Sequence, residues 1–169
     1  MSYKTLIIFL AIIVPIIGLT SLLPSWFQLK SPDQSFSNVA TDNNKTGKPK
    51  AEITQAFFNL GEMKLADVKQ QDFTLKNIGE QPLKILDVTT NCGCTAGQII
   101  YQGKTSEEYS MGWPGSNVAE INPGDTATVR LTYRPATMPV YGLVEREVYV
   151  TTNNPSRSKL IFGIKVIVK

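Results

Sequence analysis

The chain has 169 residues, 42% of them apolar, with a formal net charge of +3 and no histidine. That length and apolar content can bury one sizeable core, which calls for a single folded domain. The missing imidazole excludes Ser-His and Cys-His nucleophile pairs, histidine-bearing zinc sites and haem attachment of the C-x-x-C-H kind, and no carboxylate pair stands out as acid and base. The chain is therefore read as a non-enzyme without a cofactor. From residue 51 to 169 there are 12 Lys and Arg against 12 Asp and Glu, so the excess charge lies in the first 50 residues. A neutral domain has no basic face for a phosphate backbone, which argues against a nucleic-acid partner.

At the N-terminus, residues 6–23 are apolar apart from Thr20 and Ser21. As a helix they would be roughly 27 Å long, close to the hydrocarbon thickness of a bilayer. A cleaved signal peptide and an uncleaved signal anchor both fit such a segment. Its length, its poor small-x-small pattern at Gly18 and Thr20, and the interfacial set Trp26, Phe27 and Lys30 behind it favour the anchor. Residues 1–28 are accordingly expected to be a single-pass membrane anchor that meets the lipid bilayer through 6–23. Its N-terminus is expected in the cytoplasm and the C-terminal domain outside it, in the periplasm or at the cell surface. Residues 29–50 turn to Ser, Asp, Asn, Thr, Lys and Pro and read as a flexible linker.

From residue 51 onward the pattern is short strands and turns. Phe73 with Leu75, and then residues 83–88, supply the first strands. Residues 126–133 alternate cleanly, with Ala127, Val129, Leu131 and Tyr133 on one face. Val144, Val148 and Val150 share a face of the next strand. The C-terminal run puts Leu160, Phe162, Ile164, Val166 and Val168 on one face and Ile161 and Ile167 on the other, which places it inside a sheet. Reversals are expected at Asn77-Ile78-Gly79-Glu80, Asn122-Pro123-Gly124-Asp125 and Asn153-Asn154-Pro155-Ser156. The fold class is all-β: an Ig-like β-sandwich of about seven strands over residues 51–169, preceded by the transmembrane helix and linker.

Several short motifs occur in order: Phe57-Phe58-Asn59-Leu60-Gly61, Phe73-Thr74-Leu75-Lys76-Asn77-Ile78-Gly79, Pro82-Leu83-Lys84-Ile85, Asn91-Cys92-Gly93-Cys94-Thr95, Asn122-Pro123-Gly124 and Thr152-Asn153-Asn154-Pro155. In these the chain resembles the bacterial family catalogued as domain of unknown function 1573. The resemblance implies an Ig-like sandwich in an exported or membrane-anchored protein, related in outline to the ASPM, SPD-2 and Hydin type of domain. It implies no activity. The chain departs from the family pattern between Gln98 and Ile121, where residues 101–117 are inserted.

Cys92 and Cys94 are the one chemically reactive pair. Three readings stay open: small side chains packed in a tight turn that uses the backbone freedom of Gly93, a disulfide or redox role, or a Cu(I) site with Met111 or Met138 as soft ligands. In an extended chain the two Cα atoms would lie roughly 6.5 to 7 Å apart, so a bridge needs the backbone to bend. So small a ring would contribute only about 1.5 kcal/mol of loop entropy. No metal is assigned.

The insertion carries Tyr109, Met111 and Trp113 without any regular period and reads as a loop or irregular hairpin. Such residues supply contact area at low ordering cost, so they are candidates for binding a protein partner. Alternatively, Trp113 folds back as a lid over one end of the sandwich. The expected function is a membrane-tethered extracytoplasmic binding or assembly module, an accessory subunit of a membrane or envelope complex. A thiol-disulfide or Cu(I)-handling protein is the alternative.

Overall fold

Residues 47–169 are described by a computed structural model. The expected anchor, with Trp26, Phe27 and Lys30, and the expected linker up to residue 46 lie outside the described residues. Among the described residues no helix is long and apolar enough to cross a membrane. The strands are β1 (Ala51–Ile53), β2 (Phe57–Met63), β3 (Lys69–Asn77), β4 (Leu83–Thr90), β5 (Thr95–Tyr101), β6 (Lys104–Thr105), β7 (Gly115–Ile121), β8 (Thr126–Tyr133), β9 (Gly142–Thr152) and β10 (Lys159–Val168). A single 3-10 turn, Pro135–Thr137, separates β8 from β9.

Two five-stranded sheets result, one in the order β1-β3-β8-β5-β6 and the other β2-β10-β9-β4-β7. β2 runs parallel to β10, while the other pairings are antiparallel. The count exceeds the expected seven because β1 and β6 are very short edge strands and β7 lies partly within the insertion. β10 does sit inside its sheet, between β2 and β9.

Alternation decides what is buried. Phe73 and Leu75 of β3, and Ala127, Val129, Leu131 and Tyr133 of β8, face Val148 and Val150 of β9 and Leu160, Phe162, Ile164 and Val166 of β10 across one core. Phe73 meets the rings of Phe58 and Phe162 at centroid distances of 5.5 and 5.3 Å. In β4 the inward parity shifts from Leu83 and Ile85 to Val88 and Thr90, because the register slips between Ile85 and Asp87. On the outer face of the first sheet Arg130 donates two hydrogen bonds to Asp72, at 2.7 and 2.8 Å. These bonds hold the Asp72 carboxyl below its ordinary range.

The expected turns form. Asn77 is fully buried and acts as a hub: its amide donates to the Gln81 and Ile121 carbonyls, at 2.9 and 3.0 Å, and its Oδ1 accepts from Gly79 N. A Cβ on Gly79 would lie 2.3 Å from the Lys48 carbonyl oxygen, so only glycine allows this approach. The approach has a consequence for the linker. Ile78 N and Glu80 N donate to the Lys50 and Lys48 carbonyls, so the last residues of the expected linker are docked on the sandwich.

Candidate functional site

Strand polarity sorts the loops to two ends. Residues 48–50 bind the β3–β4 turn, so the described chain enters at the end that also holds the β7–β8 and β9–β10 turns. The pairings Lys69↔Tyr133, Thr95↔Tyr133 and Thr90↔Val148 place the end of β4, the start of β5, the end of β8 and the start of β9 at the opposite end. There the Cys92-Gly93-Cys94 turn lies between the insertion and the β8–β9 connection.

The turn is held by hydrogen bonds on all sides. Thr95 N donates to the Cys92 carbonyl at 3.1 Å, and Arg134 N donates to the Cys94 carbonyl at 2.9 Å. The buried Thr90 hydroxyl reaches the Cys92 and Thr95 carbonyls, at 2.8 and 3.2 Å, and accepts from Met111 N at 3.0 Å. That hydroxyl ties the cysteine turn to the insertion.

Cys92 and Cys94 form a disulfide, with Cα atoms 5.2 Å apart. The chain therefore bends well below the extended separation. Gly93 does so without a left-handed φ, and a Cβ there would meet only Met138 Sδ, at 3.9 Å.

The two sulfurs stand in different surroundings. Cys94 is 2% exposed, and its Sγ accepts a hydrogen bond from Arg146 Nε at 3.2 Å. Arg146 occupies an inward position of β9, between Val144 and Val148, and its guanidinium lies over the Tyr133 ring at 5.3 Å from the centroid. Its Nη1 donates to the Glu145 carbonyl, and no carboxylate among the described residues forms an ion pair with it. Tyr133 is fully buried, and its hydroxyl has no hydrogen-bond partner among the described residues. Cys92, by contrast, is 8% exposed and lies 3.8 Å from Met138 Sδ. Of the two methionines considered as soft ligands, Met138 is the one brought to the pair. Among the described residues no three Cys, Asp or Glu side chains gather as a metal site would need.

The insertion is an irregular hairpin that leads into β7. Tyr109 exchanges both backbone hydrogen bonds with Gly97, and its ring packs so closely on Gly115 that a Cβ there would be 2.7 Å away. The structure thus places Tyr109 against the core. Met111 and Trp113 point outward, with Trp113 69% exposed, so the lid arrangement does not form. Arg134 secures the loop through an ion pair with Glu108 at 2.7 Å. Beyond Met138, the β8–β9 connection exposes Val140 and Tyr141, and β9 opens with exposed Leu143.

Sequence reasoning missed Arg146 and the Val140–Leu143 group. A signal existed for the first: Arg146 shares the parity of Val144, Val148 and Val150, so a charge stands where the alternation demands an inward side chain.

A groove of about 380 Å³ opens between the edges of the two sheets, lined in part by Ile99, Tyr101, Val118 and Glu120. It contains neither cysteine nor the exposed loop residues.

No curated protein matches the sequence. Among solved structures, a protein of unknown function from Porphyromonas gingivalis W83 is 16% identical, with a TM-score of 0.55 over 70% of this chain and 46% of that one. The chain thus spans about half the length of that relative. PapD-like domain 7 of human CEP192, an ASH / PapD-like domain, gives 13% identity and a TM-score of 0.46 over 72% and 87% of the two chains. The YadV chaperone gives 14% and 0.43 over 70% and 52%. At such identities the first likeness speaks for the fold alone, and the other two carry no argument. Residues 51–108, from β1 through the Cys-Gly-Cys-Thr turn to Glu108, match the model of the family described as protein of unknown function (DUF1573), which supports the family resemblance over that stretch; the motifs at 122–124 and 152–155 lie outside the match.

Proposed function

We propose that this chain is a membrane-tethered, extracytoplasmic binding module of Ig-like type, an accessory subunit that docks a protein partner through the end of the sandwich bearing Trp113. The observation that carries this reading is the exposure of Trp113 and Met111 on a loop whose backbone is held by Thr90 and Gly97 and whose Glu108 side chain pairs with Arg134. A large aromatic held in solvent by a fixed loop adds nothing to the core and is pre-organised for contact. Tyr141 and Leu143 are also exposed at this end. Lys48 and Lys50, the described residues nearest the expected tether, bind the β3–β4 turn at the other end of the sandwich. A disulfide between Cys92 and Cys94 fits an oxidising compartment outside the cytoplasm.

The test is purification of the tagged full chain from its native membrane in mild detergent, alongside a Trp113→Ala variant. Trp113→Ala should leave the melting temperature unchanged and weaken retention of the co-purifying subunit by about 2 kcal/mol, roughly 30-fold in affinity. Equal retention of that subunit by both proteins would place the interface elsewhere.

A further inference from the structure

The disulfide is poorly suited to be a staple. It closes across one residue, and the carbonyls of Cys92 and Cys94 and the amide of Thr95 are already fixed by hydrogen bonds from or to Thr90, Arg134 and each other. Opening the bond removes none of these, so the turn can persist with two free thiols.

The surroundings of the sulfurs are, in contrast, directional. Arg146 is an inward-facing cation whose neighbours are a neutral sulfur, a carbonyl and an aromatic face, with no carboxylate paired to it among the described residues. A disulfide sulfur is a weak acceptor, whereas a thiolate is a strong one and is stabilised by an adjacent guanidinium. The bond that Arg146 makes to Cys94 Sγ therefore strengthens when charge appears on that sulfur. Cys92 is 8% exposed against 2% for Cys94. Its Sγ, which among the described residues accepts a hydrogen bond only from the neutral Cys94 amide at 3.1 Å, is flanked by Met138, a flexible and half-exposed side chain.

We infer that Cys92–Cys94 is a thiol–disulfide exchange site that takes electrons from a protein or peptide dithiol, with Cys92 as the sulfur attacked and Cys94 as the leaving group. In the first step a substrate thiolate attacks Cys92 Sγ. A bond forms between the substrate sulfur and Cys92 Sγ, the Cys92–Cys94 bond breaks, and its electron pair leaves on Cys94 Sγ as a thiolate beside Arg146. In the second step the other thiolate of the same dithiol attacks the substrate sulfur in the mixed disulfide, forming the substrate's own disulfide and releasing Cys92 as a thiolate. Two electrons pass from the dithiol to the pair, and the two substrate protons end on the cysteine sulfurs or in water. The inference stands apart from the assembly reading, since it requires nothing to be seated on Trp113.

The first step can be examined alone with glutathione, a monothiol, on the purified oxidised full chain. After a brief exposure to millimolar glutathione, acid quenching and alkylation with N-ethylmaleimide, peptide mass mapping should find glutathione on Cys92 and the alkyl group on Cys94. Glutathione on Cys94, or no adduct after prolonged exposure, would overturn the inference. At one pH, Arg146→Met should slow the release of the Cys94 thiol about tenfold, while Arg146→Lys, which keeps the charge, restores most of the rate. Equal rates in the wild type and both variants would contradict the role given to Arg146. The mapping on the wild-type chain decides the direction of attack even if Arg146→Met fails to fold.

Discussion

Tyr133 shows how a residue can be well packed and still imperfect. Its ring completes the inward row of β8 and supports the Arg146 guanidinium, yet its hydroxyl is buried without a hydrogen-bond partner among the described residues. Leaving such a group unpaired costs about 1 to 3 kcal/mol. Tyr133→Phe keeps the ring and removes the orphan, so it should leave the denaturant midpoint unchanged or raise stability by up to about 1 kcal/mol. A loss of about 2 kcal/mol in the same titration would mean that the hydroxyl has a partner after all. The inward position of Tyr133 was legible in the alternation of residues 126–133. The partners of Cys94 were not, because Arg146 lies 52 residues away and only the pairing of β9 with β4 and β10 delivers it. Cys92 and Cys94 could be singled out by type alone, whereas the difference between their surroundings is a property of the folded end.

Among the elements, β3, β8, β9 and β10 were readable because each keeps a period of two around large apolar residues, and β4 because it is rich in them even though its inward parity shifts after Ile85. β7 hides because its sequence offers few large side chains, Asn117 has a φ of 50°, and Gly115 is buried under the Tyr109 ring rather than presenting a side chain of its own. β6 is a two-residue strand behind a turn in which Gln102 and Gly103 both have positive φ, without the Asn-Gly pair that signals such hairpins. β5 contains Gly97, which weakens any propensity argument for a strand but marks a close approach of the two sheets. A Cβ at Gly97 would lie 2.7 Å from Val148 Cγ1 and 3.1 Å from Val88 Cγ1. Gly97→Ala should therefore destabilise the protein by about 2 kcal/mol in chemical denaturation, the penalty of overpacking. If the sheets could separate freely, alanine would instead stabilise the strand by about 0.5 to 1 kcal/mol.

In the whole molecule, the exposed aromatic loop lies at the end of the sandwich opposite the docked residues 48–50, and the tether is a proposal. The tether rests on residues 6–23. An uncleaved anchor requires the mature chain to keep Met1 and to sediment with membranes, which N-terminal sequencing of the membrane fraction checks. A mature N-terminus near Ser21 would show cleavage instead. The claim that this end docks a protein partner is tested most directly by photo-crosslinking in native membranes, with a photoreactive amino acid at position 113 in one full-length variant and at position 157, in the β9–β10 turn of the opposite end, in another. The account predicts one discrete protein adduct from position 113 and none of that size from position 157. No adduct from position 113, or the same adduct with equal yield from both positions, would contradict it.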